Sequence, residues 1–180
     1  SISKELQANN KITFIQTEVP PLKEIEDNSI VFVVSFQVIE HIKDDEQFLH
    51  EIHRVLKPGG KAILTTPNIM MSITRSPWHI REYTPEQMGE ILESSFDKYE
   101  LKGVFGNEKV MDYYKKNKES VRKITRFDIL NMQYWLPRWM LEIPYDILNR
   151  FNRQNLQDNN EEMVNTVVHT DYSISESNNE

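Results

Sequence analysis

Between Ser29 and Asn68 the hydrophobic positions change period twice, and the changes mark out a strand, a helix and a second strand. Val31, Phe32, Val33, Val34 and Phe36 form a nearly continuous apolar run. Such a run suits a strand buried on both faces of a parallel sheet. Asp44 and Asp45 then open a segment in which Phe48, Leu49, Ile52, Val55 and Leu56 recur at three- and four-residue spacing. That is the apolar stripe of a helix over Asp45 to Leu56. Lys57, Pro58, Gly59 and Gly60 supply a cation, a breaker and two permissive residues to end it, and Lys61 to Thr66 begins the next strand. Parallel strands need a crossover of this kind, so the pattern predicts an α/β fold of Rossmann-like type.

The flanking sequence extends the alternation. Further strands are expected near Ile12 to Gln16 and Tyr99 to Phe105. A helix near Pro85 to Ser94 has Thr84 at its N-cap and Pro85 at its first position. From Lys109 to Phe151 the apolar residues keep a helical period and include a dense aromatic cluster of Phe127, Tyr134, Trp135, Trp139 and Tyr145, interrupted by Pro137 and Pro144. From Asn152 the chain turns rich in Asn, Glu and Ser, as in a mobile tail, around one short strand at Thr166 to His169. Three regions are therefore expected: an α/β core over 1–108, a helical insertion over 109–151 and a polar tail over 152–180.

Composition narrows the function classes. A chain of 180 residues is expected to form one domain with a real core. Its net charge of −7, with no Lys/Arg block, makes nucleic acid a poor partner. The absence of cysteine removes disulfides, thiolate zinc sites and Cys nucleophiles. No apolar run approaches the ~20 residues of a membrane span, and no signal peptide is visible, so a cytoplasmic protein is expected. His50 and His53 lie three apart beside Glu51 but lack a third ligand at a fitting spacing, so they predict a solvated helix face and no metal site.

The order SFQVIEH, an acidic helix start, RVLKPGG and then AILTTPN resembles the class I S-adenosylmethionine-dependent methyltransferases, in particular the type 11 small-molecule enzymes. The resemblance runs from about Lys11 to Gly106. It takes in FIQTEVPPL and EDNSI upstream and SPWHIREYTPEQMGEIL downstream. It implies S-adenosylmethionine as cofactor and methyl transfer to a small-molecule acceptor, a saccharide or lipid-linked intermediate among the candidates. None of the five glycines, Gly59, Gly60, Gly89, Gly103 and Gly106, forms the Gly-rich turn that follows the family's first strand. The expected fold is accordingly partial, lacking the first two strands, and the chain is expected to be an inactive fragment of a longer enzyme.

By the same resemblance, Glu18 would accept a hydrogen bond from the adenine amino group and the Val19 backbone N–H would reach the ring. Glu18 stands where the family more often has Asp. Ser35, Phe36 and Gln37 would face the methionine half of the cofactor from the carboxyl edge of the sheet, where open α/β sheets bind ligands. Glu40 and His41 are expected to serve as structural hydrogen-bonding residues. His79, Arg81, Glu82 and Tyr83 follow the fifth strand of the family, where a loop can fold over the reacting methyl. His79 is the candidate base and Glu82 its orienter, since an imidazole titrates near neutrality. The aromatic insertion would cap the ligand edge or form a homodimer interface; an interfacial membrane helix fits its acidic residues and prolines less well. A second function class stays open: a methyltransferase-derived module that binds no cofactor and acts through that insertion. An NAD-dependent oxidoreductase is disfavoured, because RVLKPGG and the VIEH corner resemble no dehydrogenase motif.

Overall fold

A computed structural model describes residues 12–125, 136–137, 139–142, 145–147, 150 and 167–176. The predicted βαβ unit is present. Strand β1 (Ile30–Phe36) leads into helix α1 (Asp45–Val55), which returns the chain to β2 (Leu56–Thr65). The two strands pair in parallel, Val33 opposite Ala62 and Phe36 opposite Thr65. Asp44 caps α1 by accepting a hydrogen bond from the Gln47 N–H, which satisfies one of the orphan donors of the first turn.

The Lys-Pro-Gly-Gly turn lies inside β2 rather than before it. Ile30 pairs with Leu56 and Phe32 with Lys61, so residues Lys57 to Gly60 loop out opposite Val31. Gly59 there takes φ +79°, and a Cβ on Gly60 would stand 2.9 Å from the Lys57 carbonyl oxygen and 3.1 Å from that of Val31. The glycines are needed to close this loop against the ladder.

The core lies on one face of the β1–β2 sheet. Phe48, Leu49 and Ile52 of α1 pack with Ile39, Leu56 and Tyr83, and Val33, Ala62 and Leu64 close the sheet side. Met88 and Leu92 come from helix α2 (Pro85–Glu93), which begins in a capping box between Thr84 and Gln87. The expectation of burial on both faces is corrected here: Val34, Phe36 and Ile63 are about half exposed, at 50%, 58% and 48%. The reason is that α1 covers one face and no described element covers the other.

Three other boundaries differ. Residues 12–16 form no strand; they are exposed, and among the described residues no neighbouring strand offers them a ladder. Strand β3 (Lys102–Gly106) begins three residues later than Tyr99. It pairs antiparallel with β4 (Tyr172–Glu176), so a final strand stands within the segment expected to be a polar tail; of the strand expected at Thr166 to His169, Thr166 lies outside the described residues and Val167 to His169 form no strand. Asn107 explains the pairing. Its N–H donates to the Asp171 carbonyl and its side-chain amide to the Asp171 carboxylate, while its own amide oxygen caps helix α3 (Glu108–Thr125) at Val110. A backbone ladder of this kind does not require apolar side chains, which is why the polarity of YSISE concealed it. Phe127, Tyr134 and Trp135 of the aromatic cluster lie outside the described residues; Trp139 is 70% exposed.

Candidate active site

The site grows from the carboxyl end of β1. Gln37 reverses the chain there with φ +54°, its N–H donating to the Thr65 carbonyl and its side-chain amide to the Thr65 hydroxyl. Ile39 to His41 then form a single 3-10 turn in which Ile39 and Glu40 are fully buried. The loop after β2 folds back onto that turn. Ile80 and Arg81 donate their N–H groups to the Glu40 carbonyl at 2.7 and 3.3 Å, and His41 donates through Nδ1 to the Trp78 carbonyl at 2.9 Å. Tyr83 closes the loop at β2's end, its carbonyl accepting from the Ile69 N–H.

Two polar networks result. In the first, the Asp45 carboxylate accepts from the Arg81 guanidinium and the Tyr83 hydroxyl, each at 2.7 Å, and from the Glu46 N–H at 3.1 Å. Burial, and then the Asp45 carboxylate, hold the Tyr83 hydroxyl well above the usual phenol range. In the second, His79 Nδ1 meets Glu82 Oε1 at 2.5 Å, and the Ser72 hydroxyl donates to the other Glu82 oxygen. The His41 and His79 rings meet edge to face with centroids 5.0 Å apart. Beneath them Glu40 accepts from the Thr66 hydroxyl through Oε2 at 3.2 Å, while its buried Oε1 has no hydrogen-bond partner.

The predicted residues thus fall into three groups. His79 and Glu82 are brought together. Ser35, Phe36 and Gln37 sit at the open end of β1 beside Thr65. Glu18 is exposed in a stretch without regular structure, whereas Val19 packs against the core. The segment leading from there into β1 is clamped by Arg54, whose guanidinium reaches the Leu22 and Ile25 carbonyls and the Asp27 carboxylate. Sequence reasoning missed Ser72, Thr66 and the Trp78 carbonyl. Only a folded loop brings Ser72 to Glu82, ten residues away, so no local spacing announces it. His50 and His53 lie exposed on α1, where His50 Nδ1 bonds the Glu46 carbonyl and His53 packs edge-on against Phe96.

Residues 1–64 match the family described as "Methyltransferase domain". Over this segment the chain is similar to the class I S-adenosylmethionine-dependent methyltransferases. A probable S-adenosylmethionine-dependent methyltransferase of Mycolicibacterium smegmatis is 44% identical over 85 residues, 44% of this chain and 33% of that protein. One of Mycobacterium tuberculosis is 35% identical over 92 residues, 48% of this chain and 34% of the relative. The chain spans about a third of the length of these relatives. The fold agrees with that of the [4+2]-cyclase SpnF, with a TM-score of 0.50 at 17% identity over 96% of this chain and 58% of the other. Among the described residues, no helix is long and apolar enough to cross a membrane.

Proposed function

We propose that the protein carrying this segment transfers a methyl group from S-adenosylmethionine to an oxygen or nitrogen of a small molecule, a saccharide or lipid-linked intermediate among the candidate acceptors. The observation that carries the proposal is the His79–Glu82 pair, folded back beside the carboxyl edge of a methyltransferase-family sheet. That edge suits one side of an amphipathic cofactor: Phe36 is exposed there, and Gln37 and Ser35 add polar groups. Ser35, Phe36 and Gln37 would hold the methionine half, with Glu18 and Val19 toward the adenine. When bound, the cofactor supplies an activated methyl on a sulfonium, and the protein must orient the acceptor and take its proton. His79 is arranged to do the second. A carboxylate accepting from Nδ1–H leaves the Nε2 lone pair as the proton acceptor, and Glu82 then stabilises the imidazolium. Ser72 keeps Glu82 in place.

Calorimetric titration of S-adenosylmethionine and S-adenosylhomocysteine into the full-length protein tests the cofactor. Radiolabelled methyl transfer into small-molecule extracts tests the reaction. His79→Ala should lower turnover by about 10² to 10³-fold while cofactor affinity stays unchanged. A full-length protein that binds neither ligand would remove the enzyme reading and favour a non-catalytic interaction module.

A further inference from the structure

We infer that Glu40, His41 and His79 form a site for one divalent transition-metal cation of the zinc class. One donor atom from each residue lies within 4.8 Å of those of the other two. A closed tetrahedral site would bring such atoms to about 3.3 Å apart, so small side-chain rotations suffice to close the cluster.

Three features distinguish it from a chance grouping. First, Glu40 is fully buried and its Oε1 has no hydrogen-bond partner, an arrangement that leaves a carboxylate oxygen uncompensated unless a cation meets it. Second, both imidazoles are held in the tautomer a ligand needs. His41 Nδ1 can only donate to the Trp78 carbonyl, and His79 Nδ1 donates to the Glu82 carboxylate, so each ring keeps its lone pair on Nε2. Third, every ligand has its own outer partner: Thr66 holds Glu40, Trp78 holds His41, and Glu82, itself held by Ser72, holds His79. Carboxylate–histidine–metal relays are built this way. The expectation of no metal rested on His50 and His53, which share a helix face; this cluster joins two loops, and only the fold assembles it.

Two His and one carboxylate leave a coordination position open, the pattern of catalytic rather than structural zinc sites. Cation and proton compete for the same His79 lone pair. A loaded site therefore removes His79 from proton transfer, and an acceptor hydroxyl at the open position would be acidified by the cation itself and lose its proton to solvent. The inference does not depend on the methyltransferase reading, because cation binding can be measured without cofactor or acceptor.

The test is equilibrium dialysis of Zn²⁺ against the full-length protein, with Co²⁺ as a spectroscopic probe of coordination. Expected are one Zn²⁺ per chain and visible Co²⁺ absorption of a four-coordinate site. Glu40→Gln and His41→Ala should each weaken binding at least about 30-fold, and Glu82→Gln about 10-fold or more through the lost outer partner. The double variant His50→Ala/His53→Ala should bind like the parent. Because Glu40 is buried, circular dichroism checks that its variant folds; His41 is exposed, so its variant decides the matter should the Glu40 variant unfold. Absence of saturable binding, or binding indifferent to His41→Ala and Glu82→Gln, would overturn the site.

Discussion

The loop after β2 contributes to two polar networks whose members interleave in sequence, and they are finished to different degrees. Around Asp45 every strong group is matched: one carboxylate oxygen takes Arg81 and Tyr83, the other takes the Glu46 N–H, and Arg81 also reaches the Lys43 carbonyl. Around Glu40 and His79 the outer positions are matched while the inner ones are left open, with a bare carboxylate oxygen and two imidazole lone pairs. A closed network fixes a shape. An open one, held in place by closed neighbours, retains capacity to bind something else. The Asp45 network thus positions the loop, and the Glu40 cluster forms where that loop meets the turn after β1.

The largest effect should follow from opening the closed network. Asp45→Ala removes the acceptor shared by Arg81 and Tyr83 and leaves a buried phenol without its partner. We expect a loss of about 3 kcal/mol, the lower end for a broken buried pair because Arg81 is partly exposed. Urea denaturation of the full-length protein measures it. A loss no greater than that of Glu40→Gln would erase the distinction between the networks.

Tyr83→Phe probes the same network more gently. Deleting one hydroxyl that donates to a carboxylate should reduce stability by about 1–2 kcal/mol at neutral pH. Its pH dependence has a definite sign. Burial and Asp45 raise the Tyr83 pKa in the folded protein, so the folded state favours the neutral phenol. An unfolded tyrosine ionises near ~10. The stabilisation is therefore fully present below that pH and is lost as pH rises from there toward the folded value. The gap between parent and Tyr83→Phe should narrow above pH 10, as followed by denaturant midpoints over pH 8 to 11. A constant gap would mean that the hydroxyl is not held as described.

These networks also show what the sequence could and could not disclose. The βαβ unit was legible because its signals are local: an apolar run, a helical stripe, a cap and a KPGG turn. The thermodynamics of α2's start were equally local, with Thr84, Pro85 and Gln87 in consecutive reach. The His79–Glu82 pair was accessible because only three positions separate its members. Burial on one face only was not legible, since the run Val31 to Phe36 reads the same whichever face is covered. Nor was β4, whose pairing rests on Asn107 meeting Asp171 across sixty-four positions. The Glu40 cluster failed for the same reason: Glu40–His41 and His79 lie on different loops, and only the hydrogen bonds from Ile80 and Arg81 to the Glu40 carbonyl bring them together.

The smallest effect on stability should come from the open cluster itself. Glu40→Gln keeps the side chain's shape, and its amide oxygen can still accept from Thr66. The change also removes a buried negative charge whose second oxygen has no partner, so the lost charge offsets whatever packing is disturbed. We expect a shift within about 1 kcal/mol of zero, with a rise in stability as acceptable as a fall. Asp45 and Glu40 are both buried carboxylates, 4% and 0% exposed, so burial alone predicts similar losses for the two. A difference of about 2 kcal/mol or more between Asp45→Ala and Glu40→Gln would carry a trivial part from truncation, which Asp45→Asn controls. If Asp45→Asn still destabilises clearly more than Glu40→Gln, the folded chain depends on the charge at Asp45 and tolerates its loss at Glu40. Equal losses would mean that Glu40 is a structural anchor like Asp45, and that its bare oxygen has a partner in the folded protein.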